Sequence, residues 1–394
     1  MKKVIVYFIF LLTLTSLSAQ GIAFESHETP WADILKKAKA ENKIVFVDAF
    51  TTWCGPCKVM SNTIFPQKAV GDAFNTKFIN AKIDMEKGEG PSIAQKYGIR
   101  AYPTYIFVNG DGELVHRSLG SMPAEKFIAV GEAASDPERQ FFSLKKKYEA
   151  GERSADFLKR FAFSCSDAQE MSLIPAVTEA YLATQKDWLS KENMDFILKF
   201  ATGIESPSFA FLLKNQTAFE KAKGKAEISR QIYQTAFQNV ANTAYNRAKR
   251  EFDFTKAKEF GSKHLSKELL EQILSSMTIA QHEMKNETPQ LLAQVIAHMD
   301  KYPSDDAQQL NQYAWSFYEK CDDKAQLAKA VEWSLKSISI SDEFAFNDTA
   351  AALYFKMGNK KKAKEYAEKA IKQAKDSGDD AAETEALLKK IEAM

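Results

Sequence analysis

The sequence predicts a multidomain chain, a small α/β domain followed by an all-α helical-repeat region, and three observations carry that expectation. Between about residues 24 and 134, continuous apolar runs of strand length alternate with stretches of helical spacing. After Asp136-Pro137 the strand signals stop, and apolar residues recur three and four apart to the C-terminus. Near that terminus a spaced set of small and aromatic residues occurs twice. With 394 residues, 45% of them hydrophobic, the chain has room for two or three domains with real cores.

Charge is balanced, with 53 Lys and Arg against 52 Asp and Glu, and lacks the basic excess of a nucleic-acid-binding surface. Four cysteines are too few for a disulfide-stapled scaffold and read as chemistry more than framework. Residues 1–19 carry Lys2 and Lys3, the apolar run Val4–Leu14, then small and polar residues up to Ala19. This is the pattern of a secretory signal peptide, with cleavage expected after Ala19. The apolar run is shorter than the roughly 20 residues that cross a bilayer as a helix, which disfavours an uncleaved anchor. The mature chain is therefore expected to be exported, periplasmic or secreted, soluble, without a membrane span, and with a formal charge of −1.

The α/β domain is placed at residues 20–136. Trp31, Ile34, Leu35 and Ala38 share a helical face, and Lys43 to Val47 follows as an apolar run typical of a buried, parallel strand. Further strands are expected over Phe78 to Ile83, Thr104 to Val108 and Glu113 to His116. The last two are joined by Asn109-Gly110-Asp111-Gly112, a hairpin signal because Asn and Gly accept positive φ. Helices are expected over Cys54 to Thr63, Pro91 to Tyr97 and Pro123 to Ala134. A βαβ unit, a hairpin and a terminal helix make one mixed sheet with helices on its faces.

The chemistry sits after the first strand, in Thr52-Trp53-Cys54-Gly55-Pro56-Cys57-Lys58. Two cysteines three positions apart at a helix start lie one turn from each other, within reach of a disulfide. The Cys54 sulfur would lie near free N–H groups at the positive end of the helix dipole, which favours thiolate over thiol. Thiolate is the attacking species in thiol–disulfide exchange. Cys57, one turn inside, would be shielded and placed to resolve a mixed disulfide, while Gly55 and Pro56 shape the tight entry to the helix.

Over roughly residues 24–134 the sequence resembles the thioredoxin family, in particular its exported branch. Trp53-Cys54-Gly55-Pro56-Cys57-Lys58 matches the family's active site. Asp48, six before Cys54, stands where the family has a buried carboxylate that helps deprotonate the resolving cysteine. Lys82, in Ala81-Lys82-Ile83-Asp84, occupies the position of the lysine that accompanies that carboxylate. Tyr97-Gly98-Ile99-Arg100-Ala101-Tyr102-Pro103-Thr104 matches the segment whose cis-proline, here Pro103, faces the cysteines. An X-Pro bond is where the cis form costs only about 0.5–1 kcal/mol. The resemblance makes Trp53, Tyr102 and Pro103 the expected substrate-contacting residues, and it implies no metal or organic cofactor. Two departures stand out. Tyr102 replaces the aliphatic residue of thioredoxin itself, which bears on redox poise and substrate preference. Phe65-Pro66 is expected to interrupt the helix after the active site.

Blander readings compete with these. A Cys-x-x-Cys pair is also half of a zinc site, but Cys165 and Cys321 are isolated and the histidines are scattered. The pair also reads as a purely structural disulfide. Asp48 reads as a solvated strand end, Lys82 as a surface lysine, and Trp53 and Tyr102 as packing aromatics that also form an apolar lip around the sulfur.

The remainder is divided into a helical domain at 137–290 and tetratricopeptide-like repeats at 291–394. Ile228, Ile232, Ala236, Val240, Ala244, Ala248 and Phe252 form one row on a helix, and Gly or Pro residues mark breaks of ordinary helix length. Asn311, Ala314 and Tyr318 recur as Asn347, Ala350 and Tyr354. Ala330, Trp333, Ser337 and Ile338 recur as Ala363, Tyr366, Ala370 and Ile371. This period resembles the tetratricopeptide repeat, whose stacked helix pairs present concave surfaces to partners. Cys165 and Cys321 either pair in an oxidising compartment or serve as small buried apolar residues.

The expected function is that of a thiol–disulfide oxidoreductase. It would reduce protein disulfides outside the cytosol, draw electrons from a membrane thiol donor, and use its helical region to dock substrate or partner proteins. The competing expectation is a helical-repeat interaction protein with a redox-regulated or vestigial head.

Overall fold

In the central strand β1 (Ile44–Phe50), successive side chains enter two separate dry layers. Val45, Val47 and Ala49 pack with Trp31, Ile34, Ile93 and Tyr97, which belong to helices α1 (Trp31–Glu41) and α4 (Gly90–Tyr97). Phe46 points the other way, into an aromatic layer with Phe74 of α3 (Lys68–Asn75) and Phe127 of α5 (Ala124–Ser135). The Phe74 and Phe127 rings stack at 4.6 Å. The structure is a computed structural model and describes residues 21–394; the expected signal peptide and its cleavage point lie outside the described residues.

The sheet order is β2 (Phe78–Asp84), β1, β3 (Thr104–Val108), β4 (Leu114–Leu119). The β1–β2 pair is parallel, and β1–β3 and β3–β4 are antiparallel. The hairpin after β3 turns as its residues require. The Asn109 side chain accepts hydrogen bonds from the N–H groups of Asp111 and Glu113, and Gly112 takes φ +79°. The chain also makes a short parallel bridge from Phe24 to Asn80 of β2. Helix α3 is an addition to the sequence expectation, which assigned nothing between Pro66 and Phe78. Its eight residues offer only Val70 and Phe74 as fully buried apolar side chains, too little periodicity to read alone.

The chain divides into two compact units between Trp188 and Leu189. Helices α6 (Phe141–Glu149), α7 (Ala155–Asp167) and α8 (Ile174–Ala183) follow the sheet within the first unit. The Phe141 N–H donates to His116 Nδ1 on β4 at 3.0 Å. Arg117, the next residue on β4, donates to the Tyr97 carbonyl and lies 3.8 Å from the Glu170 carboxylate in the α7–α8 turn.

The second unit is helical apart from a two-residue strand pair, Tyr245–Asn246 with Glu251–Phe252. That pair breaks the apolar row expected to run on through Phe252; the helix there is Lys225–Ala244. The last helices form hairpins, Ala307–Lys320 with Lys324–Ile340 and Phe344–Lys356 with Lys360–Ser377, followed by Ala382–Glu392. Three of the recurring pairs, Ala314 and Ala350, Ala330 and Ala363, and Ser337 and Ala370, are buried in both copies, whereas Asn311 and Ile338 are half-buried where Asn347 and Ile371 are buried. Cys165 and Cys321 are free, buried thiols, so the expectation of a bond between them gives way to the small-apolar reading. The Cys321 thiol donates to Gln326 Oε1 at 3.3 Å. Among the described residues no helix is long and apolar enough to cross a membrane.

Candidate active site

β1 ends against a turn that leads directly into α2 (Gly55–Val59), and Cys54 is the residue that caps this helix. Its Sγ accepts the Cys57 backbone N–H at 3.1 Å, satisfying one of the N–H groups that a helix start leaves unpaired. Cys54 and Cys57 are joined as a disulfide. Both are 3% exposed, so the sulfurs lie just beneath the surface. Pro56 occupies the first helical turn, where its missing N–H costs nothing. A Cβ added at Gly55 would meet open space, so the fold does not require glycine there.

The helix continues as a π-helical turn, Met60–Ile64, and ends at Phe65-Pro66, where the sequence anticipated a break. This turn brings Ser61, four residues after Cys57, to the Lys82 ammonium, which donates to its Oγ. Lys82 also lies over the Phe50 ring at 5.0 Å.

Asp48 sits between two strands, opposite Lys82 of β2 and opposite Tyr105 of β3. It is 1% exposed, and neither carboxylate oxygen has a hydrogen-bond partner. Lys82 Nζ stands 3.7 Å from Oδ2, an ion contact too long for a hydrogen bond. Burial dominates: it pushes the Asp48 carboxyl up to about 7, against the partial counter-pull of Lys82. The Tyr105 hydroxyl is also buried without a partner, and burial with the nearby Asp48 raises its pKa. The solvated-strand-end reading of Asp48 is therefore set aside, and so is the plain surface reading of Lys82, whose side chain is 19% exposed.

The Tyr102-Pro103 peptide bond is cis, and Pro103 is buried at the start of β3, next to the Ala49–Thr104 pair. Tyr102 meets Trp53 edge to face, with ring centroids 5.9 Å apart. Trp53 is 65% exposed, which is unusual for so large an apolar ring, and its Nε1–H donates to Glu86 Oε1 at 2.9 Å. The structure thus pairs Trp53 with Tyr102 and the buried Asp48 with the half-buried Lys82 across β1 and β2, and joins Cys54 to Cys57 at the start of α2. Three residues were not singled out in the sequence: Ser61, Tyr105 and Glu86. Ser61 carried a readable signal, the one-turn spacing from Cys57; the other two depend on strand register and loop path.

A protein-family model described as a thioredoxin-like domain matches residues 31–135. A thioredoxin of Chlorobaculum thiosulfatiphilum is 37% identical over 82 residues, covering 21% of this chain and 70% of that protein. Thioredoxin-2 of Pyricularia oryzae is 37% identical over 98 residues, covering 25% of this chain and 53% of that protein. A solved structure of a candidate disulphide-isomerase from Bacteroides thetaiotaomicron is 45% identical, over 30% of this chain and 95% of that one, with a TM-score of 0.28. The chain thus spans 53% to 70% of the length of these two curated relatives. A four-stranded mixed sheet with a disulfide at the helix start after its central strand defines a thioredoxin-like domain. The chain belongs to the thioredoxin family through this domain, which is followed by a long helical region.

Proposed function

We propose that the protein is an exported thiol–disulfide oxidoreductase that reduces protein disulfides. The observation that carries this reading is the Cys54 sulfur at a helix cap, accepting the Cys57 N–H, in the same domain as a buried carboxyl without hydrogen bonds. In the reduced form, the same N–H would stabilise a Cys54 thiolate. That thiolate attacks one sulfur of a substrate disulfide; a Cys54–substrate bond forms and the other substrate sulfur leaves as thiolate. Asp48, deprotonated above about 7, takes the Cys57 proton, and the Cys57 thiolate then displaces the substrate from Cys54. The substrate gains two electrons and the cysteines return to the disulfide seen here.

Trp53, Tyr102 and Pro103 form the surface against which an extended substrate segment would lie, with Gly55 leaving room for it. Lys82 tunes Asp48. No cofactor is required for exchange, but regeneration of the dithiol needs a donor, and for an exported protein we assign that role to a membrane thiol protein. Export rests on the basic, apolar and small-residue succession of residues 1–19. The C-terminal hairpins are read as tetratricopeptide-like, and their surfaces as docking sites for substrate or partner proteins.

Insulin reduction by the purified mature chain tests the activity, with dithiothreitol as donor. The wild type is expected to turn over and Cys54→Ser to be inactive, whereas Cys57→Ser is expected to trap mixed disulfides. An unchanged rate in Cys54→Ser would overturn the assigned nucleophile. Recovery of the chain from the cytosol with residues 1–19 intact would overturn export.

A further inference from the structure

Beside the thioredoxin-like sheet, and formed by α5, α6 and α7, lies a half-open cavity of about 620 Å³. That is within the size range of sites for small organic ligands. Val130, Ala133, Leu144 and Phe163 give it apolar walls. Two polar side chains also line it, both more than nine-tenths buried: His116 and Ser164. His116 Nδ1 accepts the Phe141 N–H, so the ring proton of the neutral imidazole is on Nε2. Ser164 Oγ is buried without a hydrogen-bond partner, and the one hydrogen bond His116 makes among the described residues is at Nδ1, which leaves its Nε2–H open toward the cavity it lines. Burial and the positive charge of Arg139 pull His116 down to about 4, so the ring is neutral at ordinary pH and acts as a donor. Buried donors without partners are costly, and a site that leaves two of them facing a cavity is shaped for an acceptor.

Charge narrows the choice. Lys126, Arg139, Lys159 and Arg160 stand at the cavity against Glu138, Asp156 and Asp167. Glu138 is held by Lys147 at 2.6 Å and Arg139 lies 3.8 Å from Glu132, so with both outside partners counted the lining carries a formal balance of one positive charge. We propose that this cavity binds a small monocarboxylate with an apolar tail: the carboxylate accepts from His116 Nε2–H and Ser164 Oγ–H, and the tail lies along Val130, Ala133, Leu144 and Phe163. The site is separate from the cysteines and independent of the redox reading.

Octanoate is the probe, with 1-octanol as the comparison, titrated calorimetrically into the full mature chain. Expected are saturable octanoate binding, tenfold or more weaker binding of 1-octanol, and about tenfold weaker octanoate binding by Ser164→Ala. Ala133→Trp, which fills the cavity from a partly exposed helical position, is expected to abolish binding while thermal unfolding and insulin reduction stay as in the wild type. If Ala133→Trp perturbs folding, Ala129→Trp, at a neighbouring exposed lining position, takes its place. No saturable octanoate binding, equal binding of 1-octanol, or binding that survives filling of the cavity would each overturn the proposal.

Discussion

Asp48 and Lys82 face each other across the parallel β1–β2 pair with 3.7 Å between carboxylate and ammonium, and that gap leaves the carboxylate without a hydrogen bond. A closer contact would pull the Asp48 carboxyl further down against the effect of burial. Ser61 and the Phe50 ring share the ammonium and keep the counter-charge partial.

The pair makes stability depend on pH in a defined direction. In the folded chain Asp48 keeps its proton up to about 7, whereas an unperturbed carboxyl releases it at 3.8. Between those values the folded state holds more protons, so this contribution is fully present below 3.8 and is lost as pH rises through about 7. Asp48→Asn keeps the shape and removes the ionisation. Its gain over the wild type should therefore grow between pH 5 and pH 8, reaching up to about 4 kcal/mol. Urea unfolding of the oxidised proteins at both pH values measures this; parallel shifts of wild type and variant would contradict it.

Lys82→Met removes the opposing charge, so the Asp48 carboxyl should titrate above its wild-type position. The rate at which Cys57 releases substrate from a Cys54 mixed disulfide should show its pH inflection displaced upward, with slower release at pH 7. An inflection at the wild-type pH would mean that Lys82 does not act on Asp48.

Two glycines of the first domain should respond in opposite ways to alanine. At Gly55 an added methyl group meets nothing, and stability should change by no more than about 1 kcal/mol, in the favourable direction. At Gly131 of α5 the methyl group would stand 2.9 Å from the Phe74 ring, and overpacking should cost about 1–3 kcal/mol. Thermal unfolding of the two variants side by side checks the contrast.

Burial and the neighbouring Glu170 push the Cys165 thiol up to about 12, and burial also raises Cys321. After mild reduction, a thiol reagent should therefore label the Cys54–Cys57 pair in the native protein and reach Cys165 and Cys321 only after denaturant is added. Mass spectrometry of peptides from native and unfolded samples reads this directly. Fast native labelling of Cys165 would contradict its assigned surroundings.

Much of the first domain was legible because its signals are local. The apolar run of β1, the Asn109–Gly112 turn and the cysteine spacing each encode their geometry within a few residues. Asp48 and Pro103 were legible only through family resemblance, since nothing within one strand says that a carboxylate is buried or that a peptide bond is cis. Tyr105 and Glu86 escaped because their importance arises from strand register and loop path, which bring together residues far apart in sequence; Ser61 stood one turn from Cys57, but its partner Lys82 lies 21 residues away. Helix α3 escaped because eight residues hold too few apolar positions to declare a period.

The attachment of α6–α8 to β4 determines where the chain can be divided. A chain ending at 136, the edge that the α/β pattern suggests, would take the Phe141 N–H from His116 and the Glu170 carboxylate from Arg117, and it would leave the buried rings of Phe141 and Phe161 behind. Arg117 holds the Tyr97 carbonyl at the head of the segment leading to Pro103, so the loss would be felt at the redox site itself. A piece that runs to Trp188 keeps all of these contacts.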